Sequence, residues 1–194
     1  RRYREIERTF EGLRETSEAR RASDEIEASP EYRAQKKEFK RARAFEALCL
    51  ERANNQIPIL RTPEIPPQAS TLARNIRLEE AQQKAELEGR EGLAAQRCLN
   101  SIYTGLSFYL PRDLIPQHRY AQVATAYELA LTIRDDNPVV WYNLACARAL
   151  LDRKEPAMGA LRRALESGFN RTDLLETDPD LDPLREREDF KALV

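Results

Sequence analysis

The stretch WYNLACARALLDRKEPAMGALRRALESGF, Trp141 to Phe169, decides the fold. It holds no catalytic constellation, yet its large and small apolar residues return every three or four positions, the period of a helix face. Trp141, Leu144 and Ala145 recur before the turn LDRKEP, and Ala157, Leu161 and Ala164 recur after it. Alanines at a crossing let two helices approach closely, while the Trp and Leu side chains fill the space beside them. The spacing therefore predicts an antiparallel helix pair packed through small residues.

Displaced by 34 residues, the C-terminal half aligns with itself: Leu110 falls on Leu144, Arg119 on Arg153, Ala126 on Ala160, Ala130 on Ala164 and Leu131 on Leu165. In this period and in those signature positions the chain resembles the tetratricopeptide repeat (TPR) family. The resemblance implies an all-α fold of antiparallel helix pairs stacked as a TPR-like right-handed array. It also implies a ligand surface lined by the first helix of each repeat. By position this points to Val139, Tyr142, Asn143, Cys146 and Ala149 as partner-binding residues. Asn143 would hydrogen-bond a peptide backbone and Tyr142 would pack on its side chains. The alternative is that the N-terminal helices or a proline-rich strap cover this face.

Several positions depart from the family. Ala145 stands where the family has Gly, Arg148 where it has Tyr and Phe169 where it has Pro. In the preceding unit Ser107 replaces the Trp, Pro111 with the PRDLIPQ loop disturbs the pattern, and PRDLIP is expected to end a helix running from Glu91 to Leu110. The basic clamp that some members use for C-terminal carboxylates is not reproduced.

Outward from the repeats, four regions follow: charged N-terminal helices (1–54), a proline-rich strap or linker (55–69), the repeats (70–168) and C-terminal capping helices (169–194). In the first region Tyr3, Ile6, Phe10 and Leu13 share a helix face that Gly12 stops, and a second helix places Ala19, Ala22 and Ile26 inward. Ser29-Pro30 reads as an N-cap with a first-turn proline, opening a helix to about Ala53 with Tyr32, Phe39, Phe45, Leu48 and Cys49 inward. Four prolines between Ile57 and Pro67 exclude a helix there, and the spaced Ile57, Ile59, Leu60 and Ile65 favour an ordered strap. Ser70 can cap a helix running to about Glu88; Gly89 and Gly92 mark a break. The next helix places Leu93, Leu99, Ile102, Tyr103, Leu106 and Leu110 inward. The C-terminal segment resembles those that end many bacterial TPR arrays. Asn170 and Asp182-Pro183 would open its helices, and Leu174, Leu175, Leu181, Leu184, Phe190 and Leu193 would cover the apolar end of the last repeat.

Lys plus Arg (32) balances Asp plus Glu (33) in 194 residues, so no global field favours nucleic acid or a membrane surface. No apolar run reaches membrane-span length, and no signal peptide is read. The chain starts at Arg1, which suggests a fragment or processed product. Cys49, Cys98 and Cys146, an odd and scattered set, read as three free or buried thiols. With His118 as the only histidine, no metal site and no cofactor are expected. GLSFY (105–109) lacks the second glycine of a nucleophile elbow. RAQKKEFKRAR (33–43) places Arg33, Lys37, Lys40 and Arg41 near one face, read as a solvated face without interleaved aromatics. The expectation is a non-catalytic protein-interaction or scaffold module. The alternatives are an accessory helical domain of a larger, hydrolase-type enzyme, and an oligomer joined through the N-terminal helices.

Overall fold

A computed structural model describes Glu5 and residues 16–193, all-α with no strand among the described residues. The expected face Tyr3, Ile6, Phe10 and Leu13, with its stop at Gly12, lies outside the described residues. Helices α1 (Thr16–Ala28) and α2 (Pro30–Gln56) lead into a 3-10 turn (Ile57–Arg61). Then come α3 (Ala69–Ile76), α4 (Leu78–Ala85) and α5 (Gly89–Thr104), continued by a π turn (Gly105–Tyr109) into α6 (Leu110–Leu114). The repeat region holds α7 (Tyr120–Ile133), α8 (Pro138–Leu150) and α9 (Lys154–Glu166). The chain ends with α10 (Thr172–Thr177), a 3-10 segment (Pro179–Leu184) and α11 (Glu188–Lys191).

Helices α8 and α9 pack directly on one another, with Ala145, Ala157, Leu161 and Ala164 fully buried. The three residues between them close a C-cap in which Arg153 N–H donates to Arg148 O and Asp152 N–H to Ala149 O, Asp152 taking φ 55°. Arg148 ties the bundle further, donating to Pro156 O at 2.9 Å and to Glu128 of α7 at 3.0 Å. Asn137 caps α8 through Val139 N–H, and Pro138 follows, as an N-cap and first-turn proline should. Trp141 is half-buried; its indole N–H donates to Asp135 O at 2.7 Å.

The N-terminal half is held differently. Ser29 caps α2 by accepting from Tyr32 N–H, but the helix runs on to Gln56. Its buried residues are Ala42, Cys49 and Ala53, whereas Phe39 and Leu48 are exposed and Tyr32 and Phe45 half-buried. Small residues face α5 because the two helices approach closely there, which turns the bulky ones outward. In α5 the same selection buries Gly92, Ala94, Ala95 and Cys98 and leaves Leu93 exposed. In α1, Ser23 is buried and Ala19 and Ala22 half-buried, while Ile26 is exposed.

Cys49 and Cys98 are not free thiols: they form a disulfide joining α2 to α5, and Cys146 alone stays reduced and buried. The pairing escapes a sequence reading because the two residues are 49 positions apart. Closing a loop of that length removes entropy from the unfolded chain, which stabilises the fold by roughly 4 kcal/mol.

The strap is ordered. Leu60 is its fully buried anchor and Ile57 is half-buried, while Ile59 and Ile65 face solvent. The buried Gln122 amide of α7 donates to the carbonyls of Thr62 and Glu64, and Arg119 donates to Arg61 O at 2.6 Å. These donors replace the helix partners that the prolines deny the strap.

Several boundaries differ from expectation. Ser70 does not cap α3, whose N-cap is Gln68, and left-handed Arg77 (φ 60°) breaks the expected single helix into α3 and α4. Pro111 does not end α5, because the π turn, in which Leu110 N–H donates to Gly105 O, shifts the ladder and places the proline in the first turn of α6. At the C-terminal end the N-cap of α10 is Arg171 rather than Asn170, and the following 3-10 segment is capped by Asp178, which accepts from Asp180 N–H, rather than opened at Asp182. The six apolar residues assigned to that segment are all inward: Leu175, Leu181, Leu184 and Phe190 buried, Leu174 and Leu193 packed against them.

Two outcomes check this packing. Cys49→Ala with Cys98→Ala should lower the urea-unfolding free energy by about 3–4 kcal/mol, and reductant should do the same to the wild type but not to the variant. Reductant-insensitive melts of the wild type would show the cross-link to be absent. A Cβ on Gly92 would sit 1.8 Å from Leu87 O, so Gly92→Ala should cost about 2 kcal/mol or more, read in the same melts.

Candidate functional site

The predicted binding residues all lie on α8, but not in one environment. Tyr142, Asn143 and Cys146 line a cleft of about 120 Å³ with Tyr127 of α7 and with Asp178 and Asp180 of the C-terminal segment. Val139 is exposed outside the cleft, and Ala149 is buried in the core. Among the described residues, what packs across this face of α8 is the C-terminal segment rather than the N-terminal helices or the strap.

Tyr142 is the junction. Its ring stacks on Phe169, with centroids 4.3 Å apart and planes 9° from parallel. Phe169 reaches that position because Gly168 ends α9 at φ 97°, letting Phe169 N–H donate back to Ala164 O. The Tyr142 hydroxyl donates to Asp178 Oδ2 at 2.6 Å, a charge-assisted bond worth about 2 kcal/mol. Arg185 locks the segment by donating to Leu175 O and Asp178 O. Burial of Leu181 and of Leu184 adds roughly 1.5–3 kcal/mol each.

The cleft is electrostatically one-sided. Neither Asp178 nor Asp180 has a cationic side chain within ion-pair distance among the described residues, although the surrounding Asp173, Asp182 and Asp189 each pair with an arginine. Burial, then Asp178, then Asp182 push the Asp180 carboxyl above the usual carboxylate range. Burial, followed by the nearby carboxylates, drives the Cys146 thiol upward, so at neutral pH it is a neutral thiol and no nucleophile. Burial raises the Tyr127 phenol to about 12, opposed by a hydrogen bond with Asn143. The arrangement offers hydrogen-bond acceptors, aromatic walls and negative charge, with no activated nucleophile. No group of three metal-ligating side chains is assembled among the described residues. Nor is any described helix long and apolar enough to cross a membrane.

Two features went unread in the sequence. The roles of Asp178 and Asp180 depend on a return of the chain over α8 that no local period encodes. On α2, a face beside the predicted Arg33, Lys37, Lys40 and Arg41 set, sharing Lys40 with it, carries aromatics among its cations. Tyr32, Lys36, Phe39, Lys40 and Arg43 share a depression with Arg90, and the 3–4 spacing of Tyr32, Lys36, Phe39 and Arg43 was the available signal. His118 takes a turn position at φ 55°, its Nδ1 2.8 Å from the Tyr120 hydroxyl.

No protein-family profile matches this chain, and no solved structure matches it. The chain is 28% identical over 121 residues to a chloroplastic protein of Arabidopsis thaliana, a plant rather than a bacterial protein. The match covers 61% of this chain and 34% of that protein, so the chain spans about a third of the length of the curated relative it matches.

The uncompensated Asp180 makes a pH prediction. Its folded value is raised, so the native state holds more protons than the unfolded chain between the ordinary aspartate value and the raised one. Its contribution to stability is therefore full below that window and is lost as pH rises through it. Asp180→Asn should remove this loss, giving a variant whose melting temperature relative to wild type improves from pH 3 to pH 7. Parallel pH profiles would contradict the placement of Asp180.

Proposed function

We propose that this chain is a non-catalytic protein-interaction or scaffold module, an array of the TPR type that holds a peptide or protein partner at the α8 surface. The observation that carries this reading is the cleft beside Tyr142, Asn143 and Cys146, in which an asparagine edge, aromatic walls and two carboxylates without a cationic partner converge on a space of side-chain size. The α8–α9 pair, crossing through Ala145, Ala157 and Ala164, supports the array. The acidic mouth suits a neutral or basic partner segment rather than a C-terminal carboxylate, in keeping with the missing basic clamp. Because Tyr142 is buried, stacked and bonded to Asp178, its part is to build the cleft wall; Asn143 and the exposed Val139 offer the contacts.

A second reading, an accessory helical domain of a larger protein, draws on the relative, in which the matched region is 34% of a longer chain. Its contacts would then serve neighbouring domains of the same polypeptide.

A displayed peptide library probed with the full chain tests the first reading. Selected peptides should share a motif containing Lys or Arg. Asn143→Ala and Asp180→Asn should each weaken their binding at least about fivefold, in the range of a single interface contact, without unfolding. Selection of no peptide, or of peptides indifferent to both changes, would sink it.

A further inference from the structure

A second surface, on the opposite kind of charge, lies on α2. The run 33–43 holds six basic residues, Arg33, Lys36, Lys37, Lys40, Arg41 and Arg43, and one acid, Glu38. Glu38 is already occupied, accepting from Arg90 N–H at 2.9 Å at the start of α5. Among the described residues none of the six cations has a carboxylate within ion-pair distance. Later on the same helix the pattern reverses: Arg52 pairs with Glu80 at 2.9 Å, and Glu46 takes a two-pronged bond from Arg97.

Phe39, 46% exposed, sits among three of the six, Lys36, Lys40 and Arg43, together with Arg90. The Arg43 and Arg90 guanidiniums stand over its ring at 5.8 and 5.9 Å, and the Lys36 ammonium stands 5.6 Å over Tyr32. The rings anchor the cations, so less side-chain entropy remains to be lost when an anion arrives. Around them the surface dips into a shallow depression of about 590 Å³, room for several side chains.

We propose that this face of α2, with Arg90, docks an acidic protein segment: a peptide whose Asp or Glu side chains meet Lys36, Lys40, Arg43 and Arg90 while one apolar side chain seats on Phe39. Charge complementarity carries the choice of partner, since a cluster of unpaired cations around one apolar centre is matched by carboxylates around one apolar side chain. Nucleic acid fits less well, because base stacking needs open aromatic faces and guanidiniums already lie over Phe39. A membrane surface fits less well, because an interfacial helix buries a broad apolar stripe and, among the described residues, the apolar surface of this face is that of Tyr32 and Phe39. The site is separate from the α8 cleft and does not depend on its function.

The test uses the full chain and a fluorescein-labelled peptide of alternating Glu and Asp around a central Phe, beside its Gln and Asn counterpart. Anisotropy should show saturable binding of the acidic peptide alone, weakening as salt is raised from about 50 to about 300 mM. Lys36→Glu with Lys40→Glu should weaken it at least tenfold and Phe39→Ala about threefold to fivefold, with melting curves unchanged, while Asn143→Ala should have no effect. Should the charge reversal disturb folding, Lys36→Gln with Lys40→Gln should still weaken binding by at least threefold. Parallel arms offer phosphatidylserine vesicles, a thymidine oligonucleotide and, by light scattering, a second copy of the chain. The proposal is overturned if the acidic and neutral peptides bind alike, or if binding ignores the α2 changes. It is equally overturned if vesicles, oligonucleotide or self-association depend on these residues and the acidic peptide does not.

Discussion

The close crossing of α8 and α9 through Ala145, Ala157 and Ala164 is the constraint on which the rest of the C-terminal half depends. Methyl groups on both sides of the contact let the helices pack at short range, and that places the end of α9 beside Tyr142. A left-handed glycine then turns Phe169 onto the tyrosine ring, and the stack aims the hydroxyl at Asp178. Larger residues at the crossing would move Phe169, and with it the roof of the cleft. The position where the family resemblance expects Pro thus holds a Phe that fixes this chain's own C-terminal cap.

The N-terminal half reaches order by other means. A disulfide replaces part of the apolar contact between α2 and α5, and side-chain donors from α7 hold a strap whose prolines cannot supply their own. Charge is also used differently at the two ends. Among the described residues the C-terminal segment sets five of its eight acids against an arginine or Lys191, whereas α2 leaves its first basic run unmatched. With a net charge of −1, the chain is electrically balanced as a whole and polarised locally. Each end therefore presents one uncompensated sign: negative at the α8 cleft, positive on α2.

Legibility in the sequence followed the range of the interaction concerned. The crossing residues Ala157, Leu161 and Ala164, the Ser29-Pro30 helix start and the inward leucines of the last segment were readable, because helical period and capping chemistry act within a few residues. The inward assignments of Phe39, Leu48 and Leu93 failed because two helices that approach closely select small residues for the contact, reversing the rule that bulky apolar groups go inside. The Cys49–Cys98 pairing and the Asp178–Tyr142 bond join residues 49 and 36 positions apart, beyond any local signal. Tyr142, Asn143 and Cys146 were legible as neighbours on one helix, but that Val139 and Ala149 fall outside their cleft, and what faces it, could not be read.

Residues 172–190 belong to the folded core over α8 rather than to a loose tail, and residue-resolved hydrogen exchange on the native chain distinguishes the two. The amides of Asp178, Leu181 and Phe190, which donate to Leu174, Asp178 and Arg187 carbonyls, are predicted to exchange in the same slow class as those of α8 and α9. Exchange of this segment orders of magnitude faster than α8, with Tyr142 left solvent-accessible, would contradict the core placement.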